Sequence, residues 1–318
     1  MRRDFYGKRV AFLGDSIVQH GTFLDFMRAR LDGIAGAPRL YNRGLGGNRS
    51  IMVEGLFADE IASLRPDVTF VHYGVNDLGV WLYDTALEVT PAVLAERHER
   101  DEAYRAGLVR TVALIREAGI TPVLCTPIPL DGYLREEEDI VTLADNREKG
   151  ERIRDTLYTR ATFARLNEAL SAYRETVFAI AADGGAEVCD LGAAFLAAQT
   201  PEGGLYQKDG THLSYDGNRL LAKCFLSHIG VAWDGAPLPL SPRHAALRER
   251  EQTERSVQYV KWALFHPMYG RDIEDSEVGA AALLEAPMLE RHKRLAIEDY
   301  LKNGKSAEGL RAEIEALQ

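Results

Sequence analysis

The sequence predicts an α/β fold, a parallel sheet covered by helices. Two observations carry that reading. Short β-rich runs alternate with segments of helical period over the first two thirds of the chain. Two of the runs, Arg9–Leu13 and Asp67–Tyr73, also read as buried strands. A third observation sets the limit of the fold: the Pro-rich connector from Asp234 to Pro242 separates this region from a charged, helical tail.

Arg9–Leu13 and Asp67–Tyr73 are the clearest strands, stopped by Gly14 and Gly74. Thr121–Cys125 and Glu187–Leu191 give two more, and Arg39–Asn42 supplies a shorter edge strand, five in all. Phe163, Leu166, Leu170, Tyr173, Val177 and Ile180 recur at spacings of three and four, which makes one face of a helix apolar. Leu108, Val112 and Ile115 do the same ahead of Thr121, and a last helix is expected over about Gly217–Ile229. The segments Leu78–Arg105 and Asp131–Asp155 exceed ordinary βα connections of about 2 to 6 residues. They are expected to wall a pocket, with Trp81, Tyr83 and Tyr133 either stacking on a ligand or packing within the loops themselves.

At 318 residues, 46% hydrophobic and 27% charged, the chain can bury a sizeable core and is neither disordered nor fibrous in composition. The expected division is a main domain over 1–235 and a helical extension over 236–318. A formal charge of -10 disfavours nucleic acid and anionic membranes as partners. No apolar run approaches the roughly 18 to 20 residues of a membrane span, and no signal-peptide core precedes Arg9, so the sequence reads as cytoplasmic. Cys125, Cys189 and Cys224 lie in unrelated apolar segments without the spacing of a zinc or redox pair, which reads as buried free thiols.

In the tail, Leu283, Leu284, Leu289, Leu295, Ile297, Leu301, Leu310, Ile314 and Leu317 offer apolar surface that an isolated helix could not bury. The outer helices of the main domain or a second subunit are the available partners, with Trp262, Phe265 and Tyr269 as the anchor; the aromatic set, with Tyr259 and His266, also suits closing a pocket, and a homodimer through these helices is one expectation. Removing everything after Leu240 is expected to harm stability or solubility more than chemistry.

In a doubly wound sheet, function gathers beyond the carboxyl ends of the strands. Gly14-Asp15-Ser16 follows the first strand and presents a serine at a strand-to-helix turn. Asn42-Arg43-Gly44-Leu45-Gly46-Gly47-Asn48 follows the edge strand; its glycines suit either close approach of backbone N–H groups to a ligand or a plain turn, and Arg49 stands where a dinucleotide fingerprint needs its third glycine. Gly74-Val75-Asn76-Asp77 and Asp209-Gly210-Thr211-His212 complete the set. Together these places offer a nucleophile, amide donors, a base and a carboxylate. Singly, each also reads as an ordinary turn, cap or solvated loop.

Their order and placement resemble the SGNH hydrolases, the GDSL esterase and lipase family, across roughly residues 8–230. Two departures stand out: Ile17 replaces the eponymous leucine, and Asn48-Arg49 stands where many relatives carry Asp-Thr. The resemblance implies a three-layer α/β/α sandwich with a five-stranded parallel sheet. It implies Ser16 as nucleophile, His212 as base, Asp209 as the carboxylate that orients it, and an oxyanion hole from the N–H groups of Ser16 and Gly47 and the amide of Asn76. Asp15, Asn48, Arg49, Asp77 and Trp81 are the candidates for substrate contact, although Asp15 suits a loop-organising acceptor better than an acid. His20 and His72 fall outside the blocks and read as structural. No metal or organic cofactor is implied, and the expected substrate is a small-molecule ester, first of all an acetyl ester of a carbohydrate. The alternatives are a broad-range lysophospholipase or thioesterase, acyl transfer to an acceptor other than water, and a non-catalytic carbohydrate-binding protein on the same scaffold.

Overall fold

Five strands form one parallel sheet: β1 (Arg9–Gly14), β2 (Arg39–Gly44), β3 (Val68–His72), β4 (Thr121–Cys125) and β7 (Glu187–Cys189), in the order β2-β1-β3-β4-β7. The computed structural model describes residues 1–85, 87–133, 140–146, 151–265 and 307–318. It divides into two compact units, Met1–Leu143 with Asp155–Pro239, and Ala144–Arg154 with Leu240–Gln318.

β1, β3 and β4 are buried nearly throughout because apolar side chains occupy both faces. On one face Phe12 and Phe70 stack at 5.1 Å between ring centroids, and Phe225 meets both edge-on. Phe23 joins them, so helices α2 (Thr22–Leu31) and α8 (Tyr215–His228) close this side. Long helices α5 (Pro91–Glu117) and α6 (Arg160–Gly184) pack on β4 and on each other, where Tyr104 and Tyr173 stack at 3.9 Å. All six apolar residues that predicted α6 are buried. The remaining helices of this unit are short: α1 (Ser16–His20), α3 (Val53–Phe57), α4 (Val75–Leu78) and α7 (Leu191–Ala198). Cys125 and Cys189 are buried register partners on β4 and β7, Cys224 is half-buried, and all three are free thiols.

Two expectations need correction. Most of Leu78–Arg105 is not a loop but the first half of α5, which starts at Pro91 with the Thr90 hydroxyl accepting from the Val93 N–H. Tyr83 is buried there beneath the Arg97 guanidinium, 4.4 Å from its ring centroid, and so packs within the protein. Within Asp131–Asp155, β5 (Ile140–Asn146) pairs with β6 (Glu151–Tyr158) in a separate two-stranded sheet. The β-branched run Ile140-Val141-Thr142 is its sequence signal, concealed by the acidic residues around it.

In the second unit α9 (Pro242–Phe265) packs against α10 (Ala307–Leu317), whose Leu310 and Ile314 are buried one turn apart. Glu254 and Arg255, both buried, form a two-point ion pair at 2.6 and 2.8 Å, and Arg311 adds a third contact to Glu254 at 3.2 Å. The expected anchor of Trp262, Phe265 and Tyr269, with Tyr259 and His266, and the leucines from Leu283 to Leu301, lie outside the side chains described.

Candidate active site

The strand ends converge on one place. β1 ends at Gly14, and the next carboxylate, Asp15, caps α1 by accepting from the Ile17 N–H at 3.0 Å, which leaves Ser16 as the first residue of the helix. β2 runs alongside and ends at Gly44, where the chain passes so close to α1 that a Cβ would lie 2.6 Å from the Val18 carbonyl carbon. Gln19 joins the two segments: its carbonyl accepts from the Asn42 amide at 3.1 Å, and its side-chain oxygen accepts from the Gly46 N–H at 2.5 Å. Gly47 then turns with φ 73°, a conformation that favours glycine.

The fourth segment is folded on itself before α8. The Gln207 N–H donates to the His212 carbonyl at 2.7 Å, the Gly210 N–H donates to the Gln207 carbonyl at 2.9 Å, and Ser214 caps α8. This closed loop brings His212 to Ser16, with Nε2 2.9 Å from the serine Oγ. On the other side of the ring, Nδ1 lies 2.5 Å from Asp209 Oδ2, while Asp209 Oδ1 accepts from the backbone N–H groups of Thr211 and His212 at 3.0 and 2.9 Å. Burial pushes the Asp209 carboxyl upward, but the His212 hydrogen bond, the His212 charge and the two amides outweigh it and hold it below its ordinary value. An ionised carboxylate on Nδ1 selects the tautomer with its proton there, which leaves Nε2 free to accept from Ser16.

Asn76 lies on α4, directly after β3, and its side-chain amide donates to the Asn48 carbonyl at 3.2 Å. An NH₂ group has two donors, so this contact orients the amide without using it up. Ser16, Asn76, Asp209 and His212 are all partly open to solvent, and Gly47 is exposed.

Three of the candidates for substrate contact face inward instead. Asp15 is fully buried, with Oδ2 lacking a hydrogen-bond partner among the described residues, and burial pushes its carboxyl up to about 7. Asn48 is buried and donates to the Tyr73 hydroxyl at 3.2 Å. Asp77 is buried, accepts from the Ser50 N–H and hydroxyl at 2.9 and 2.7 Å, and is pushed by burial up to about 6. These groups brace the loops. Arg49 is half-buried with its charge bearing on Asp77, and Trp81 is half-buried beneath the Arg100 guanidinium, 4.6 Å from its ring centroid. Tyr133 is exposed, with Arg160 at 5.9 Å.

Of the two histidines read as structural, His72 is buried on β3, and burial lowers its pKa to about 4. His20 is different: its ring stacks on that of His212, with centroids 5.0 Å apart and planes 27° from parallel. Ser16 and His20 lie four residues apart along one helix and therefore share one face.

A hydroxyl, an imidazole and a carboxylate in series beyond the carboxyl ends of a parallel sheet define a serine hydrolase. The model of the GDSL-like Lipase/Acylhydrolase family matches residues 12–220, and the chain belongs to that family. It is a carboxylic ester hydrolase. No curated protein sequence matches it significantly. Among solved structures, it is similar to an acetyl xylan esterase at 23% identity, over 69% of this chain and 98% of that one, with a TM-score of 0.50. An acetylxylan esterase from Geobacillus stearothermophilus aligns at 20% identity over 73% of this chain and 98% of that one, with a TM-score of 0.52. A gut microbial diltiazem-metabolizing enzyme aligns at 21% identity over 72% of this chain and 48% of that one, with a TM-score of 0.57. At these identities the likeness is one of fold.

Proposed function

We propose that the chain hydrolyses acetyl and other short-chain esters of carbohydrates through an acyl-enzyme formed on Ser16. The observation that carries this reading is the unbroken series Asp209–His212–Ser16. His212 Nε2 takes the serine proton as Oγ attacks the acyl carbonyl, and the imidazolium is held by Asp209. Negative charge then develops on the carbonyl oxygen, to be met by the Ser16 and Gly47 N–H groups and the Asn76 amide. His212 returns the proton to the departing alcohol, then activates water against the acyl-enzyme. The acetyl and carbohydrate parts are supported by the likeness to the two acetyl xylan esterases above and by Arg49, a polar residue in the loop after β2.

Initial rates on 4-nitrophenyl esters of increasing chain length, followed by acetylated xylo-oligosaccharides, test the reading. Activity is expected to be highest on acetate and to fall with chain length, and Ser16→Ala is expected to lose it while folding normally. A preference for long acyl chains would refute the substrate class, and near-normal turnover by the Ser16→Ala variant would refute the mechanism.

A further inference from the structure

Ser16 and His20 begin and end α1, four residues apart on one helical face. His212 touches both, receiving the serine hydroxyl at its Nε2 edge and the His20 ring on its face. We propose that His20 is a positioning residue for the base: a flat ring, presented by the helix that carries the nucleophile, that holds the His212 imidazole in the plane joining Ser16 to Asp209. The proposal rests on the hydrolase reading above and adds a fourth group to it.

The argument is geometric. Hydrogen bonds at Nδ1 and Nε2 fix the two edges of the His212 ring but leave it free to rock about the line between them. A group against the face opposes that motion. Ring centroids 5.0 Å apart at a small interplanar angle lie in the range favoured by offset aromatic stacking. The backbone beneath His20 is well placed to hold it still. The preceding carbonyl, of Gln19, accepts from Asn42; the following N–H, of Gly21, donates to Val18 at 3.1 Å; and the Gln19 side chain is bonded to Gly46. Any flat aromatic ring would serve this purpose, whereas a methyl group would not.

That contrast supplies the experiment. His20 is exposed, so its replacement removes little packing from the core. His20→Ala and His20→Phe are compared with the wild-type chain on 4-nitrophenyl acetate, and by the rate at which a fluorophosphonate probe labels Ser16. The Ala variant is expected to lose roughly 10- to 100-fold in kcat, the scale on which misplacing a catalytic group is felt, with KM unchanged and labelling slowed in parallel. The Phe variant is expected to recover most of the loss. Wild-type kcat and labelling in the Ala variant would overturn the proposal, as would a Phe variant as impaired as the Ala one, or an effect confined to KM. A wild-type chain that neither hydrolysed the ester nor took the probe would overturn the hydrolase reading itself, and this proposal with it.

Discussion

At the scale of single residues, the same physical event, loss of water around a polar group, has different consequences at Asn76 and His72. Asn76 keeps its amide partly in solvent and, among the described residues, tethered at one donor, so it can meet an oxyanion that exists only in the tetrahedral state. Asn76→Ala is therefore expected to lower kcat by about a hundred- to a thousand-fold with KM little changed. A variant that lost affinity and kept its turnover number would make Asn76 a binding residue. His72 is buried on β3, with both ring nitrogens lacking a hydrogen-bond partner among the described residues. It stays neutral in the fold down to about pH 4, whereas in the unfolded chain it protonates near 6.5. Between those values the unfolded state binds more protons, so this contribution to stability is complete above 6.5 and is lost as the pH falls toward 4, on the order of 3 kcal/mol in all. Asp15 and Asp77, raised by burial, act with the opposite sign, their contributions being lost as the pH rises toward about 7 and about 6. Comparing His72→Leu with the wild type cancels them. The variant's advantage in Tm is expected to widen steadily from pH 6.5 to pH 4, and a constant gap would show that His72 is not buried neutral.

At the scale of elements, what could be read in advance depended on where the partner of each residue lay. The strands of the main sheet and the inner stripe of α6 were legible because burial on a regular element leaves a regular pattern. The first half of α5 was not. From Pro91 to Arg105 its only buried residue is Tyr104, so no apolar stripe exists, and only the Thr90-Pro91 cap marks its start. Ser16, Asn76, Asp209 and His212 could be picked out because each follows a strand or precedes a helix within its own short motif. Asn48, Asp77 and His20 owe their roles to Tyr73, Ser50 and His212, residues from other segments that no local pattern names. Gly44 shows how an element boundary becomes a condition for chemistry, because β2 and α1 touch there backbone to backbone. Gly44→Ala is expected to force them apart, displacing Gln19 and with it both Asn42 and Gly46. A fall in Tm together with loss of fluorophosphonate labelling would bear this out, and an active, heat-stable variant would show that the contact can relax.

At the scale of the whole chain, every group of the site belongs to the first compact unit, between Gly14 and His212. A chain ending at Pro239 is therefore expected to label at Ser16 at the wild-type rate per folded molecule, while melting lower or aggregating. Loss of labelling in molecules that remain folded would mean that residues beyond Pro239 shape the site. The strand order has a different consequence. β1 lies between β2 and β3, neighbours about 4.8 Å apart, so Ser16 follows the middle strand of three, with Gly47 beyond the strand on one side and Asn76 beyond the strand on the other. The pitch of the sheet thus fixes the spacing at which the loop that carries Ser16 and its two neighbours leave the strands, whatever alcohol the connections beyond them are shaped to hold.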